Sequence, residues 1–119
     1  MKSTTAFRLA AALGFLGVGL GAFGAHGLHD LLEKNNTADV WKTASSYHLI
    51  HAVVLLFLST VRPLPKLAWV LIFCGVLVFS GSLYLLAVTG VKWLGAITPL
   101  GGLSLLAGWL ALVIKPVVE

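Results

Sequence analysis

The side chains equipped for chemistry in this sequence are few, and they recur in its apolar segments: His26, then Tyr47, His48 and His51, then Ser80, Ser82 and Tyr84, then Thr98 followed by Pro99. His48 and His51 stand at i, i+3 and share one face of a helix with Tyr47, while His26 and His29 repeat the HxxH spacing. Imidazole suits zinc, copper and haem iron, and two on one face can chelate. His26, His48 and His51 are therefore a candidate metal or haem ligand set. A histidine near its titration point also suits proton-linked or ligand-binding work. The plainer reading is that interfacial imidazoles keep a polar tip wet, bonding to water, headgroups or facing helices. There is no HExxH, no CxxC, no Ser-His-Asp set, no pair of carboxylates within a span and no phosphate-cradling glycine loop. The sequence thus requires no cofactor and offers no enzymatic constellation.

The hydroxyls need partners in an apolar surrounding. Ser80 and Tyr84 at i, i+4 share a face, and Gly81 permits close approach. Ser80 is expected to bond back to the carbonyl of Val76, and Tyr84 to reach a histidine of the preceding long helix. Thr98 and Pro99 read as an N-cap with proline at the first helical position. That would start the last helix inside the bilayer and leave Leu94 to Ile97 non-helical, shielded by protein or lining a polar cavity, as a small oligomeric transporter or channel would have it. A continuous helix kinked at Pro99 is the reading favoured here.

The elements that position these residues follow from composition. With 119 residues, 59% apolar and 10% charged, and a mean hydropathy of +1.00, the chain is one integral membrane domain, far outside the soluble range. Apolar segments at about 6–26, 44–62, 67–90 and 94–114 predict an all-α membrane protein: an antiparallel bundle of four transmembrane helices. Leu9 to Ala25 carries no charge and reaches roughly 26 Å as helix. The second segment attains the needed length only by including His48 and His51, which places them at or just inside the interface. Leu28, Leu31 and Leu32 predict a short amphipathic interfacial helix after the first span. Asn35 and Asn36 end it, and the second long helix begins near Thr37. Prolines 63 and 65 force a tight turn, and Thr89 to Lys92 form another. Threaded alternately, the segments bring all the candidate polar residues into one membrane half.

Charge sets the orientation. Lys2, Arg8, Arg62, Lys66 and Lys115 fall on one side, and Lys34, Lys42 and Lys92 on the other. The bias predicts both termini in the cytoplasm, with Trp69 and Trp109 at the inner interface and Trp41 and Trp93 at the outer one. The expected partners are the lipid bilayer and either further copies of the chain or a membrane complex. Scattered single cations argue against nucleic acid. Lys2 and Arg8 before an apolar run, with Ala22 and Gly24 beyond it, resemble a secretory signal, but the run is long for one and three more spans follow. An uncleaved helix is expected. Cys74 is alone and reads as a small packed hydrophobe.

On the first helix Ala10, Gly14, Gly17, Gly21 and Gly24 lie within about 80° of one another, Gly17 and Gly21 forming a GxxxG pair. The stripe predicts close helix packing, within the bundle or between subunits.

Read in order, Gly21-Ala22-Phe23-Gly24-Ala25-His26-Gly27-Leu28, Tyr47-His48-x-x-His51-Ala52, Phe79 to Tyr84 and Ile97-Thr98-Pro99-Leu100-Gly101-Gly102 resemble the small bacterial membrane proteins of domain of unknown function 423. That family is similar to eukaryotic transmembrane protein 256. The resemblance covers nearly the whole chain and implies a four-helix bacterial inner-membrane protein, with no established activity attached.

Overall fold

A computed structural model describes residues 1–118. The described residues are helical throughout apart from short connections: α1 (Ser3–Ala25), α2 (His29–Asn35), α3 (Ala38–Ser59), α4 (Lys66–Thr89), a 3-10 helix (Lys92–Ala96) and α5 (Thr98–Ile114). Three helical stretches are long and apolar enough to cross a membrane: Ser3–Ala25, Lys66–Thr89 and Lys92–Ile114, the last joining the 3-10 helix to α5. α3 has a comparable 22 residues but carries Asp39, Lys42 and both central histidines.

The chain's breakers set the connections. Asn36 takes the left-handed conformation, φ 55°, between α2 and α3, and Gly90, φ 70°, ends α4. Pro63 and Pro65 separate α3 from α4, where a proline could not continue the hydrogen-bond ladder.

The long helices run antiparallel in chain order. Leu13, Gly21 and Gly24 of α1 meet His48, Ser45 and Trp41 of α3, one series rising as the other falls. Between α4 and α5 the register is regular: Ser82 meets Thr98, Phe79 meets Gly101, Gly75 meets Leu105 and Ile72 meets Gly108. The arrangement is an open row, because among the described residues α1 brings no Cα within 8 Å of α4 or α5, and α3 none within 8 Å of α5. The core runs along the row from Ala6, Ala10 and Leu13 through Leu55 and Leu58 to Trp69, Ile72 and Leu105.

The second long helix begins at Ala38, directly after Thr37 as expected, so His48 lies ten residues inside it. Both central histidines are buried against neighbouring helices, 4% and 6% exposed. Two local expectations change. The α-helix starts at Thr98 with proline in its first turn, after a 3-10 segment. A proline there gives up no hydrogen bond, and no continuous α-helix is kinked at Pro99. Trp41 and Trp69 are buried in the protein instead of facing an interfacial belt, whereas Trp93 is 66% exposed. α2 turns Leu32 into a cluster with Trp41 and Ala87. Asn35 and Thr37 side chains donate to the carbonyl of Ala87, at 3.2 and 2.6 Å, and satisfy the end of α4.

Candidate functional site

Most of the predicted polar residues are buried, and these reach across to another helix or back along their own. His48 stands between three helices. Its Nε2 lies 2.8 Å from the carbonyl oxygen of Leu13 in α1, and its Nδ1 lies 2.9 Å from the Tyr84 hydroxyl in α4. A carbonyl can only accept, so Nε2 carries the proton, and Nδ1 of the neutral ring accepts from Tyr84. Ser45 Oγ lies 3.4 Å from the same hydroxyl, and the ring of Trp41 packs edge-on against Tyr84.

His51 is held the opposite way. Its Nδ1 lies 2.7 Å from the carbonyl of Tyr47, one turn earlier, and its Nε2 accepts from the indole N–H of Trp109 in α5 at 3.1 Å. An indole can only donate, so Nε2 is bare and Nδ1 carries the proton. This contact joins α3 to α5 although their backbones stay apart.

The hydroxyls complete the ties. Ser80 donates to the carbonyl of Ala44 in α3 at 2.8 Å, not to Val76 of its own helix. Ser82 and Thr98 share a 2.6 Å hydrogen bond between α4 and the start of α5. Toward the other end, Trp69 donates to Ser59 Oγ at 3.0 Å and to the Leu55 carbonyl at 3.2 Å. Among the described residues no buried side-chain nitrogen or oxygen lacks a hydrogen-bond partner.

The remaining candidates stand apart. Tyr47 is 45% exposed and stacks its ring near His51 and Phe79. His26 is exposed at the end of α1, roughly 13 Å along the helix from Gly17, where His48 packs. His29 is exposed beside Asp30. No group of three or more His, Cys, Asp or Glu is placed to hold a metal among the described residues. The donor set of His26, His48 and His51 does not fit a metal or haem, because His26 is distant and both nitrogens of His48 and His51 already have protein partners.

The glycine stripe divides. A Cβ on Gly24 would overlap the Trp41 indole, and one on Gly17 would lie 2.6 Å from Leu49 Cδ2, so both are filled by α3. Gly14 has nothing within 4 Å, and Gly21 only Ser45 Oγ at 4.0 Å. The closest backbone approach is between α4 and α5, where Gly101 lies against the Phe79 backbone and a Cβ on Gly75 would come 2.9 Å from the Leu105 amide nitrogen. Sequence reasoning missed this seam. Its signal was Gly101, Leu105 and Gly108 at i, i+4 and i+7.

Helices long enough for a bilayer, tied by buried hydrogen bonds and glycine contacts, define a multi-helix membrane protein. A family model described as protein of unknown function (DUF423) matches residues 20–102. The chain belongs to this family. It is 44% identical over 112 residues to a UPF0382 membrane protein of Staphylococcus haemolyticus, covering 90% of each chain. With the UPF0382 membrane protein YwdK of Bacillus subtilis it shares 42% identity over 116 residues, 92% of this chain and 93% of that one. No solved structure matches.

Proposed function

We propose that the protein is a non-enzymatic, four-span inner-membrane protein that works by helix association, with further copies of itself or as an accessory to a membrane complex. The observation that carries this reading is that His48, His51, Ser80, Ser82, Tyr84 and Thr98 are all engaged in hydrogen bonds that hold helices together. None of these side chains is left with a free group aimed at a reacting molecule. Chemistry by this cluster would need the helices to part.

Association is supported by the open row. α1 and α5 each have one long neighbour, and both present large apolar side chains outward, among them Phe15, Val18, Leu103 and Val113. α3 is taken as the fourth span because it lies antiparallel between α1 and α4 and turns its histidines inward. At 22 residues it extends about 33 Å, enough for the hydrocarbon core. The cation distribution then puts both termini in the cytoplasm.

Mass measurement in native detergent and crosslinking in the membrane test the association: multimers or a captured membrane protein are expected, and monomer alone with no crosslinked species would sink the idea. The fourth span is tested in a Cys74→Ser background. Asn35→Cys and Thr60→Cys should react with an impermeant reagent from opposite sides of a vesicle, and labelling from the same side would remove α3 from the membrane.

A further inference from the structure

The basic end of the row carries two neighbouring cavities, one of about 550 Å³ and one of about 310 Å³. The larger lies between the α3–α4 turn and the end of α5 and is lined by Arg62, Lys66 and Lys115. Arg62 also lines the smaller one, with Arg8 and the hydroxyl residues Ser3, Thr4 and Thr60. Asp30, Glu33 and Asp39 all belong to α2 or the start of α3, at the far end, so among the described residues no carboxylate shares either cavity, and Glu119 lies outside the described residues.

An excess of cations at one membrane face can serve orientation alone. That accounts for their number and side, but not for their convergence on two cavities sharing one arginine. The Lys66 side chain, through a hydrogen bond and its like charge, also holds the Met1 terminal amine below its ordinary pKa. Clustered cations favour an oxyanion, and an arginine fork can grip a phosphate through two N–H groups.

Three features place that oxyanion on a lipid. α4 begins at Lys66 and α5 ends at Ile114, and both belong to stretches able to span the bilayer, so the larger cavity opens at the membrane surface. Its remaining wall is apolar, with Leu64, Leu67, Leu112 and Val117 beside the cations. Basic pockets between helices at a membrane surface suit anionic headgroups. We propose that this end of the protein binds the phosphate of an anionic phospholipid, with Arg62 shared between the two cavities, Lys66 and Lys115 flanking the headgroup, and the leucines against its glycerol and upper acyl chain.

Native mass spectrometry of the full chain, from micelles holding equal phosphatidylglycerol and phosphatidylcholine, tests the assignment. Phosphatidylglycerol should be retained at least about fivefold over phosphatidylcholine, the discrimination of a single well-placed cation. Replacing Arg62, Lys66 and Lys115 by Gln together should abolish the preference, while Lys34→Gln, Lys42→Gln and Lys92→Gln together should leave it intact. Because Arg62 also donates to the Ser59 carbonyl at 3.1 Å, a Lys66→Gln, Lys115→Gln double variant that keeps it should bring the preference below about twofold and decides the matter if the triple variant does not fold. Equal retention of the two lipids, or an equal fall in both charge-neutralised triples, would overturn the proposal. Displacement of phosphatidylglycerol by millimolar inorganic phosphate would show a site for the free oxyanion and overturn the lipid assignment.

Discussion

His48 and His51, one turn apart on α3, are held in opposite tautomers: His48 carries its proton on Nε2, facing the Leu13 carbonyl, and His51 on Nδ1, facing the Tyr47 carbonyl. Each bare nitrogen accepts from a donor on another helix, Tyr84 for His48 and Trp109 for His51. The two rings are thereby linked to different neighbours and should respond independently. Nitrogen-15 NMR of histidine-labelled protein should show one ring of each tautomer. Tyr84→Phe should shift only the His48 signals and Trp109→Phe only those of His51. A single tautomer for both would show that the partners do not set the protonation.

The His48–Tyr84 contact predicts a modest coupling inside a larger loss. Truncating His48 to Ala strips partners from the Leu13 carbonyl and the Tyr84 hydroxyl and should cost about 2–3 kcal/mol of stability in detergent. Tyr84→Phe should cost about 1 kcal/mol. The double-mutant cycle should return a coupling near 0.6 kcal/mol and below about 1.7 kcal/mol, as interhelical hydrogen bonds in membranes do. Tyr47→Phe is the control, since that ring is half exposed and its contacts are aromatic.

The glycines divide into filled and open positions. Gly24→Ala and Gly101→Ala each force a methyl into a neighbour and should cost about 1–3 kcal/mol by overpacking. Gly14→Ala meets nothing within 4 Å and should hold or raise stability by up to about 1 kcal/mol through helix propensity. A thermal melting series in one detergent checks the order. If Gly14→Ala destabilised as strongly as Gly24→Ala, the open position would have to be occupied by another chain.

That division marks where sequence reasoning ended. Helix number, the α3 start near Thr37 and the meeting of Tyr84 with a histidine were legible, because apolar length, Asn and Pro breakers and i, i+4 spacing are local signals. The partners of the histidines were not: water, headgroups and facing helices were all open, and the choice depends on which groups of α1, α4 and α5 reach α3. The partner of Ser80 was invisible for a similar reason, since the choice between its own helix and Ala44 depends on how closely α3 approaches α4. Which glycines are filled depends on the facing residue, and Trp41 against Gly24 cannot be inferred from α1 alone.

Pro99 offers a separate check on the start of α5. As the second residue of that helix it occupies a position whose amide has no intrahelical acceptor. Pro99→Ala should therefore change stability by less than about 1 kcal/mol and leave helix content unchanged by circular dichroism. Thr98→Val removes the 2.6 Å bond to Ser82 and should cost more, about 1 kcal/mol or above. A larger effect at Pro99 than at Thr98 would point to a kink instead of a helix start.

The Met1 amine gives the basic end a pH signature with a definite sign. The Lys66 hydrogen bond and charge lower its pKa in the folded protein from the ordinary 8.0. Between the lowered value and 8.0 the unfolded chain holds a proton that the folded chain has released, so stability should rise with pH through that window. Below the lowered value both states are charged and the repulsion from Lys66 is fully present. Lys66→Gln should move the amine back toward 8.0 and flatten the dependence. Carbon-13 NMR titration of the reductively methylated amine reads this directly, and an anionic headgroup seated between the two cations should raise the amine pKa in phosphatidylglycerol micelles but not in phosphatidylcholine. An amine that titrates identically with and without Lys66 would remove the like-charge contact from the argument and leave the arginine-lined cavities to carry it.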